Sequence, residues 1–472
     1  MAATRRFITR TALLCAASFA ACAAWADAPR FDAALAEATF QTVWDRVDGS
    51  AYDVRAQGVD WDAVGKRYRP RALAAGSAGE LRGILQAMLD EIGESHFTIM
   101  PASVNTVAEA AQAASAGPAP GAPRGPRYDT GLRARLVDGA LRVVSVAEGS
   151  PAQRAGLAPG WVLQGIDGAD LAGPVSELGN GPDGAAGRFG RVALEGYAMV
   201  LLESRSSDAA VDLDLRSPDG RARTLSLAPA PSGGEWVEAP MLPPMELRFH
   251  AGTEPLADGG CIAEVRFNVW VPAIGERLDQ ALPELRRCQA VLMDLRGNPG
   301  GIMGMMMTLG GHFVNETIRL GTLDTGEASL NFVAMPRRVT AAGERVQPID
   351  GPMAILIDSL SMSTSEMFAS GLQAAGRARV FGTASPGMAL PAQTHRLPTG
   401  DSLMFAFARY EDPAGRRIEG EGVQPDHPVE LDARALAAGG DPARAAALAW
   451  LRAQTVEQPI HDTPSQSHGV AR

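Results

Sequence analysis

Residues 353–366 read MAILIDSLSMSTSE, which is five apolar residues, a short polar turn and the serine-rich beginning of a helix. The apolar run is typical of a buried strand, and Ser363 with Glu366 three residues later forms a capping box that predicts a helix N-terminus. Free N–H groups and the positive end of a helix dipole can stabilise a developing oxyanion there. The turn therefore suits a nucleophilic Ser363, although a serine that only caps its helix has the same local pattern.

The region around this turn, residues 232–455, alternates strands with helices, which predicts an α/β layer structure. A second turn, Arg296–Gly301, follows another buried-type strand and contains two adjacent glycines. We expect the methionines of the helix after that turn to pack in the core. The predicted elements are strands at Cys261–Trp270, Ala290–Leu295 and Met353–Ile357, and helices at Ile274–Leu285, Ile302–Phe313 and near Asp441–Ala453.

The preceding chain divides by composition into three parts. Residues 27–101 are predicted to form a helical domain, in which Ser77 and Glu80 make a capping box and Gly93 ends the last helix. Residues 102–127 are rich in alanine, proline and glycine, which is typical of a linker. Residues 128–231 contain short strands and turns.

The two ends of the chain are expected to lie outside the folded domains. Residues 1–26 carry three arginines, an apolar run and a small-residue cleavage site, which predict an export signal and a periplasmic or secreted protein. A lipoprotein anchor at Cys22 fits less well. In an oxidising compartment, Cys261 and Cys288 are allowed but not required to pair. Residues 456–472 are predicted to be a disordered tail.

Charge and motifs exclude several classes of function. The net charge is −11 and Lys66 is the single lysine, so the chain lacks the basic surface of a nucleic-acid binder. After the export signal, no apolar run reaches the ~18 residues of a membrane span. We find no Cys-x-x-Cys, His-Glu-x-x-His, Walker or Gly-x-Ser-x-Gly motif, so we expect no metal and no cofactor.

Residues 149–168 resemble part of a PDZ domain, because a Ser-Pro helix start, a glycine-bounded turn and a strand follow one another there. PDZ domains bind peptide C-termini by strand addition, with backbone N–H groups holding the carboxylate. The resemblance implies that Thr130, Gly131 and Leu132 form this carboxylate loop. A PDZ-shaped spacer that binds nothing is the alternative.

Three segments in order, residues 294–301, 361–366 and 419–426, resemble the tail-specific or C-terminal processing serine peptidases. The resemblance implies a crotonase-type α/β spiral core, with an N-terminal helical domain and an inserted PDZ-like domain. It also implies that Ser363 is the nucleophile and that the N–H groups of Thr364 and Gly301 form the oxyanion hole. Gly301 and its neighbour Gly300 could equally be turn glycines, and both roles can hold together.

The chain departs from the commoner family pattern at the base. Many members have a lysine where this sequence has Met388, and methionine cannot accept a proton. Residues 91–96 instead resemble the tricorn-core branch, which implies His96 as general base and Ser95 as a possible helper. The resemblance makes Glu419 the residue that orients the histidine.

Local sequence leaves alternatives for these last two residues. Glu421 lies two positions from Glu419 and could take its role. His96 could be a loop histidine at a helix end, and Glu419 could be a solvated carboxylate.

These observations predict a periplasmic or secreted serine endopeptidase that acts on proteins or peptides, recognised partly through their C-termini. A catalytically inactive relative that binds peptides as an adaptor is the main alternative. Hydrolysis of a non-peptide ester, or binding of a lipophilic ligand, is a third class. The sequence does not indicate an oligomeric state.

Overall fold

The computed structural model describes residues 31–50, 52–100, 126–180, 185–239, 242–340, 343–429 and 431–457. The predicted export signal, residues 102–125 of the predicted linker and residues 458–472 of the predicted tail lie outside the described residues. Residues 456 and 457, which the sequence analysis placed in the tail, belong to the last helix instead.

The N-terminal region is helical and shares a strand with the C-terminal region. Its elements are α1 (Ala33–Asp48), α2 (Trp61–Leu73), α3 (Ala78–Asp90) and strand β1 (Thr98–Met100). The side chain of Ser77 caps α3 by accepting from Glu80 N–H, as the capping box predicts. Strand β1, which was not predicted, pairs antiparallel with residues 402–404 and so joins the loop before it to the C-terminal region.

Residues 126–231 form a separate antiparallel domain with its own apolar core. Its strands run in the order β3-β4-β5-β7-β8, with β6 beside β5, while β2 pairs with β9. The elements are β2 (Tyr128–Asp129), β3 (Leu132–Val137), β4 (Ala140–Val146), α4 (Pro151–Arg154), β5 (Val162–Ile166), β6 (Ala169–Asp170), α5 (Ala172–Asn180), α6 (Ala185–Glu203), β7 (Val211–Arg216), β8 (Ala222–Leu227) and β9 (Ala230–Pro231).

The C-terminal region is an α/β structure, as predicted. Its first half contains β10 (Glu235–Ala239), β11 (Leu242–Leu247), β12 (Phe249–Pro255), β13 (Cys261–Phe267), α7 (Ala273–Leu285), β14 (Ala290–Asp294) and α8 (Met305–Gly310). Its second half contains β15 (Ile318–Asp324), β16 (Ser329–Ala334), β17 (Met353–Ile357), α9 (Thr364–Ala374), β18 (Arg379–Gly382), β19 (Ala392–Arg396), β20 (Ser402–Ala406), β21 (Arg409–Glu411), β22 (His427–Pro428), α10 (Ala433–Ala437) and α11 (Pro442–Glu457).

The main sheet has the strand order β12-β13-β14-β17-β18-β22 and is parallel from β13 onward. Strands β14 and β17 are buried along their whole length because both faces are covered. Alternate residues pack on opposite sides: Leu292 and Leu356 meet α11, whereas Met293 and Ile355 enter the core with α7 and α9. Smaller sheets, β16-β15-β21 and β1-β20-β19, flank this core.

Two predicted elements are shorter by three or more residues in the structure. The strand that begins at Cys261 ends at Phe267, and the helix after the glycine turn covers only Met305–Gly310. Residues 302–304 instead form a tight turn in which N–H groups bond three residues back, for example Met305 to Ile302 at 3.0 Å. The methionines do pack in the core, as expected.

Cys261 and Cys288 form a disulfide, with their Cα atoms 4.5 Å apart. The bond joins the first residue of β13 to Cys288, which lies two residues before the start of β14. Within the ranges described above, no helix is both long and apolar enough to cross a bilayer.

Candidate active site

Ser363 lies on the turn between β17 and α9, where its backbone has φ 54° and ψ −119°. Positive φ in a residue other than glycine costs about 1–3 kcal/mol and persists where the surroundings enforce it. Here the N–H of Ser363 donates to the carbonyl of Met388 and to Oε2 of Glu366, both at 3.0 Å. A serine on a sharp strand-to-helix turn is the arrangement that exposes a nucleophile in serine hydrolases.

The buried carboxylate of Asp358 organises the chain just before this serine. Its Oδ1 accepts from the N–H of Leu360 at 3.0 Å and from the N–H of Gly297 at 2.9 Å. Gly297 belongs to the turn after β14, so one carboxylate joins the turns that follow two neighbouring parallel strands.

Glu366 joins the serine turn to residues 385–388. Its carboxylate is fully buried and accepts from the N–H groups of Gly387 at 2.8 Å and Met388 at 2.9 Å, in addition to Ser363. The hydroxyl of Ser385 donates to it at 2.6 Å. Burial raises the pKa of Glu366 to about 7, although four hydrogen bonds favour its charged form.

The predicted oxyanion groups lie beside the serine. Gly300 has φ 97°, and a Cβ there would lie 2.7 Å from Cβ of Ser363 and 3.0 Å from N of Thr364. Gly301 has φ 144°, and its carbonyl accepts from the hydroxyl of Thr364 at 2.9 Å. Among the described residues, neither the N–H of Gly301 nor that of Thr364 donates to an acceptor. Both predicted donors are therefore close together and unused within the described chain.

Asn298, which the sequence analysis did not single out, shapes this turn. It is fully buried; its Oδ1 accepts from Gly300 N–H and its Nδ2 donates to the carbonyl of Phe267, both at 2.9 Å. The hydroxyl of Ser365 donates to the carbonyl of Asn298 at 3.0 Å. The available signal was an asparagine directly before Pro-Gly-Gly at the end of a buried-type strand, because such a side chain, once buried there, must find partners in the backbone around it.

His96 lies on the loop between α3 and β1 and has φ 62°. Its Nδ1 contacts the hydroxyl of Ser95, while the N–H of Ser95 donates to Oε1 of Glu419 at 2.8 Å. Burial lowers the pKa of His96 to about 4, so the imidazole is neutral at neutral pH. Ser95 therefore links the histidine to the predicted orienting carboxylate.

The structure brings Glu419, and not Glu421, to this loop. Glu419 is buried, and its Oε2 also accepts from the N–H of Ala389 at 2.8 Å. Burial raises the pKa of its carboxyl group. Glu421 is exposed.

Residues 388 and 389 lie between the two halves of the site. The carbonyl of Met388 accepts from Ser363, and the next N–H, that of Ala389, donates to Glu419. The hydrogen bonds among the described residues do not include one between His96 and the hydroxyl of Ser363.

Met388 thus contributes its backbone, and not a basic side chain, to the site. Its N–H binds Glu366 and its carbonyl binds Ser363. Lys66 lies exposed on α2.

The predicted carboxylate loop lies before β3, with its N–H groups already bonded. Thr130 N–H donates to the carbonyl of Leu202 at 2.8 Å, Gly131 N–H to Asp129 at 2.6 Å, and Leu132 N–H to the hydroxyl of Thr130 at 3.2 Å. A peptide carboxylate would have to replace these three acceptors.

No metal site is evident among the residues that the structure describes. Across the described ranges, no group of three or more His, Cys, Asp or Glu side chains is arranged to hold a metal ion.

The α/β core and the residue types collected around Ser363 are those of a serine hydrolase. Comparison with known families narrows this class. Residues 262–429 match the model of peptidase family S41, and residues 33–90 match the tricorn protease C1 domain. These two segments, together with the relatives described next, support a similarity of the chain to the tail-specific and C-terminal processing serine peptidases.

Two curated relatives illustrate the similarity. The chloroplastic carboxyl-terminal-processing peptidase 2 of Arabidopsis thaliana is 25% identical over 292 residues, covering 61% of this chain and 50% of that protein. The carboxyl-terminal-processing protease of a Picosynechococcus species is 25% identical over 174 residues, covering 36% of this chain and 40% of that protein. The chain thus spans about half or less of the curated relatives that it matches.

Solved structures share the fold. The photosystem II D1 C-terminal processing protease superposes with a TM-score of 0.53 at 21% identity, covering 86% of this chain and 98% of that one. Mature CPAF superposes with a TM-score of 0.54 at 13% identity, covering 89% and 97%.

Proposed function

We propose that this protein is a serine endopeptidase of the tail-specific type that cleaves peptide bonds by a Ser–His–Glu mechanism. One observation carries the proposal: the strained turn of Ser363 and the His96–Ser95–Glu419 chain of contacts are joined through residues 388 and 389. The two unused N–H groups beside the serine, those of Gly301 and Thr364, support it.

In the first step, Oγ of Ser363 attacks the scissile carbonyl carbon and its proton passes to His96. Nδ1 of His96 contacts the hydroxyl of Ser95. In this proposal Nδ1 carries the hydrogen and donates to that hydroxyl, so Nε2 is the atom that takes the proton. The N–H groups of Gly301 and Thr364 stabilise the oxyanion of the tetrahedral intermediate. His96 then returns the proton to the leaving amine as the C–N bond breaks, which leaves an acyl ester on Ser363.

In the second step, a water molecule gives a proton to His96 and attacks the ester carbonyl. The intermediate collapses, the acid product leaves, and Oγ of Ser363 recovers its proton. Glu419 acts through Ser95, holding the imidazole loop in place and stabilising the charge that forms on His96.

The proposal also covers the folds and roles of the two larger domains. Residues 232–455 form a crotonase-type spiral, and residues 128–231 form a PDZ-like domain that presents or gates peptide C-termini, with Thr130–Leu132 as its carboxylate loop. The protein acts in the periplasm or is secreted, and the Cys261–Cys288 disulfide supports an oxidising compartment.

The test is digestion of fluorescently labelled casein by the parent protein beside Ser363→Ala and His96→Ala. We expect both variants to lose at least about a thousandfold in rate while melting at the parent temperature. Casein cleavage that survives in Ser363→Ala would exclude the proposed nucleophile.

An inactive, peptide-binding adaptor is the second candidate. The observation in its favour is that no hydrogen bond joins His96 to Ser363 among the described residues. A serine-directed fluorophosphonate separates the two candidates, because only an activated Ser363 displaces fluoride and forms the Oγ–P bond.

A further inference from the structure

The loop that carries His96 is held to the C-terminal region by two neighbouring side-chain bridges. The first is the bond from Ser95 N–H to Glu419 described above. The second is an ion pair between Glu94 and Arg417, two residues before Glu419. The two bridges place residues 94 and 95 of one segment against residues 417 and 419 of the other.

Arg417 also contacts a buried aromatic side chain behind the loop. Its Nη2 lies 3.3 Å from the hydroxyl of Tyr52, which is fully buried. The ring of Tyr52 packs edge-on against Phe97, with centroids 5.5 Å apart. Glu94 and Phe97 flank His96 in sequence, so Arg417 and Tyr52 fix the chain on both sides of it.

Such fixing is needed because His96 adopts a backbone conformation that its residue type resists. A non-glycine residue in the left-handed region returns to ordinary φ values unless its neighbours are held. The loop begins at Gly93, which also has positive φ, and leads directly into the short, three-residue strand β1.

We propose that Arg417 is a positioning residue for the general base, acting through Glu94 and Tyr52 to hold the His96 loop against Glu419. This inference rests on the proposed function, since it assigns Arg417 a role in the same reaction.

Arg417 has an electrostatic role as well, because it is a cation beside two carboxylates. Burial and the neighbouring charge of Glu94 both raise the pKa of Glu419. Without Arg417, the charge of Glu94 is unpaired and protonation of the pair becomes easier. The titratable or charged groups around Glu419 are Glu94, Tyr52, His96 and Arg417, with Arg409 facing Tyr52, Arg188 near Gly420, and Glu366 bonded to the adjoining residues 387 and 388.

The test compares Arg417→Gln, Arg417→Lys, Glu94→Gln and the double variant Glu94→Gln/Arg417→Gln. The readouts are kcat and KM for labelled casein from pH 5 to 9, and the rate at which a fluorophosphonate modifies Ser363. We expect Arg417→Gln to lower kcat about 10- to 100-fold with KM changed less than about twofold, because the base is displaced and substrate contacts are not.

The pH profile and rescue separate positioning from a general loss of stability. In Arg417→Gln, the acidic limb of the kcat profile moves to higher pH. Arg417→Lys keeps the charge and recovers most of kcat, and the double variant returns the acidic limb toward that of the parent. Arg416→Gln is the matched control, since the neighbouring Arg416 pairs with Asp412 instead, and its rates should stay within about twofold.

Failure of this inference differs from failure of the proposed function. If the parent does not cleave casein but reacts with the fluorophosphonate, the proposed endopeptidase activity is wrong, and the labelling rates of the same variants test the positioning role of Arg417. A parent that neither cleaves nor labels overturns both. Arg417→Gln that matches the parent in kcat, pH profile and labelling overturns the role of Arg417 alone. If Arg417→Gln does not fold, the lysine and double variants decide by the same criteria.

Discussion

Two regions outside the α/β core contact it close to Ser363, and they contribute different things. The N-terminal helical region brings His96 to the site and fixes it through Glu419 and Arg417. The domain at residues 126–231 contacts the other side of the same turn through Arg135 and Glu195.

The contacts of the second domain end on groups that shape the turn. Nε of Arg135 donates to Oδ2 of Asp358 at 2.8 Å, and Glu195 accepts from the hydroxyl of Ser359. Asp358 in turn holds Gly297. Under the proposed mechanism, the first region supplies the general base, whereas the second supports the geometry around the proposed nucleophile.

The same two side chains also hydrogen-bond to the backbone of strand β3, which lies at the edge of its sheet. Glu195 accepts from Leu136 N–H at 2.7 Å, and Nη1 of Arg135 donates to the carbonyl of Ala134 at 2.8 Å. A peptide strand added to β3 would compete with both bonds. Binding at this edge and contact with the serine turn therefore draw on the same residues.

The largest effect is expected from a variant that weakens the contact between the His96 loop and Glu419. Glu419→Gln replaces an acceptor of two N–H bonds with an amide whose NH₂ group must face one of those donors. We expect kcat on labelled casein to fall about ten-thousandfold, comparable to loss of an orienting carboxylate in other serine peptidases. The exposed Glu421→Gln is the control, and equal losses in both variants would contradict the assignment of Glu419.

Breaking the contact between Arg135 and Asp358 should lower the stability of the protein more than its catalytic rate. Arg135→Met removes the partner of Asp358, and both side chains are almost completely buried. We expect the free energy of unfolding to fall by about 3 kcal/mol, because a buried charge is left unpaired. Denaturant unfolding measures this loss.

An exposed ion pair provides the matched control for that variant. Arg69 and Glu37 are each about half exposed, at 52% and 50%, so Arg69→Gln should cost no more than about 0.5 kcal/mol. Equal costs at Arg135 and Arg69 would show that the contact of the second domain is not a buried pair in solution.

A third prediction uses pH to test whether His96, in the N-terminal helical region, is buried and neutral in the folded protein. Burial lowers the pKa of His96 to about 4, below the value of about 6.5 for an unfolded histidine. The folded state therefore binds fewer protons than the unfolded state between these values, and the free energy of unfolding falls as pH falls through that range.

Imidazole NMR titration should find His96 neutral at pH 5.5, and His96→Gln should show a smaller fall in stability between pH 6.5 and 4. His312 is buried with a pKa also lowered to about 4, so it contributes in the same direction and remains in both proteins. His250→Gln, at an exposed position, is the control. A His96 resonance that titrates near 6.5 would show that the loop is open to water.

Local chemistry explains which parts of this site the sequence could predict. The strand, turn and helix at 353–366 follow from apolar patterning and a capping box, and these depend on neighbours in the chain. The placement of His96 on a loop followed from Gly93 in the same way. The expectation that the Ser363 turn and the His96 loop lie in one site came only from family resemblance.

The missing parts depend on tertiary contacts. Arg417 with Glu94 and Arg135 with Asp358 join residues more than 200 positions apart, and neither periodicity nor turn chemistry encodes such pairs. At Thr130–Leu132 the motif indicated free N–H groups, but the short side chains of Asp129 and Thr130 accept from the backbone two residues on. The disulfide was allowed by sequence and determined only by the approach of β13 to residue 288.

The smallest expected effect separates docking of the N-terminal region from its chemistry. Arg82 on α3 donates to Asp401 through Nε at 3.2 Å and Nη2 at 3.0 Å, and the Asp401 side chain is only 4% exposed. Arg82→Gln weakens this bridge between the helices and the hairpin β19–β20 without touching residues 94–96. We expect about 2 kcal/mol of lost stability, because the weakened bonds end on a buried charge, and a kcat within about twofold of the parent. If kcat instead fell as far as in Arg417→Gln, the His96 loop would depend on docking as a whole, and the two-bridge account of its position would be wrong.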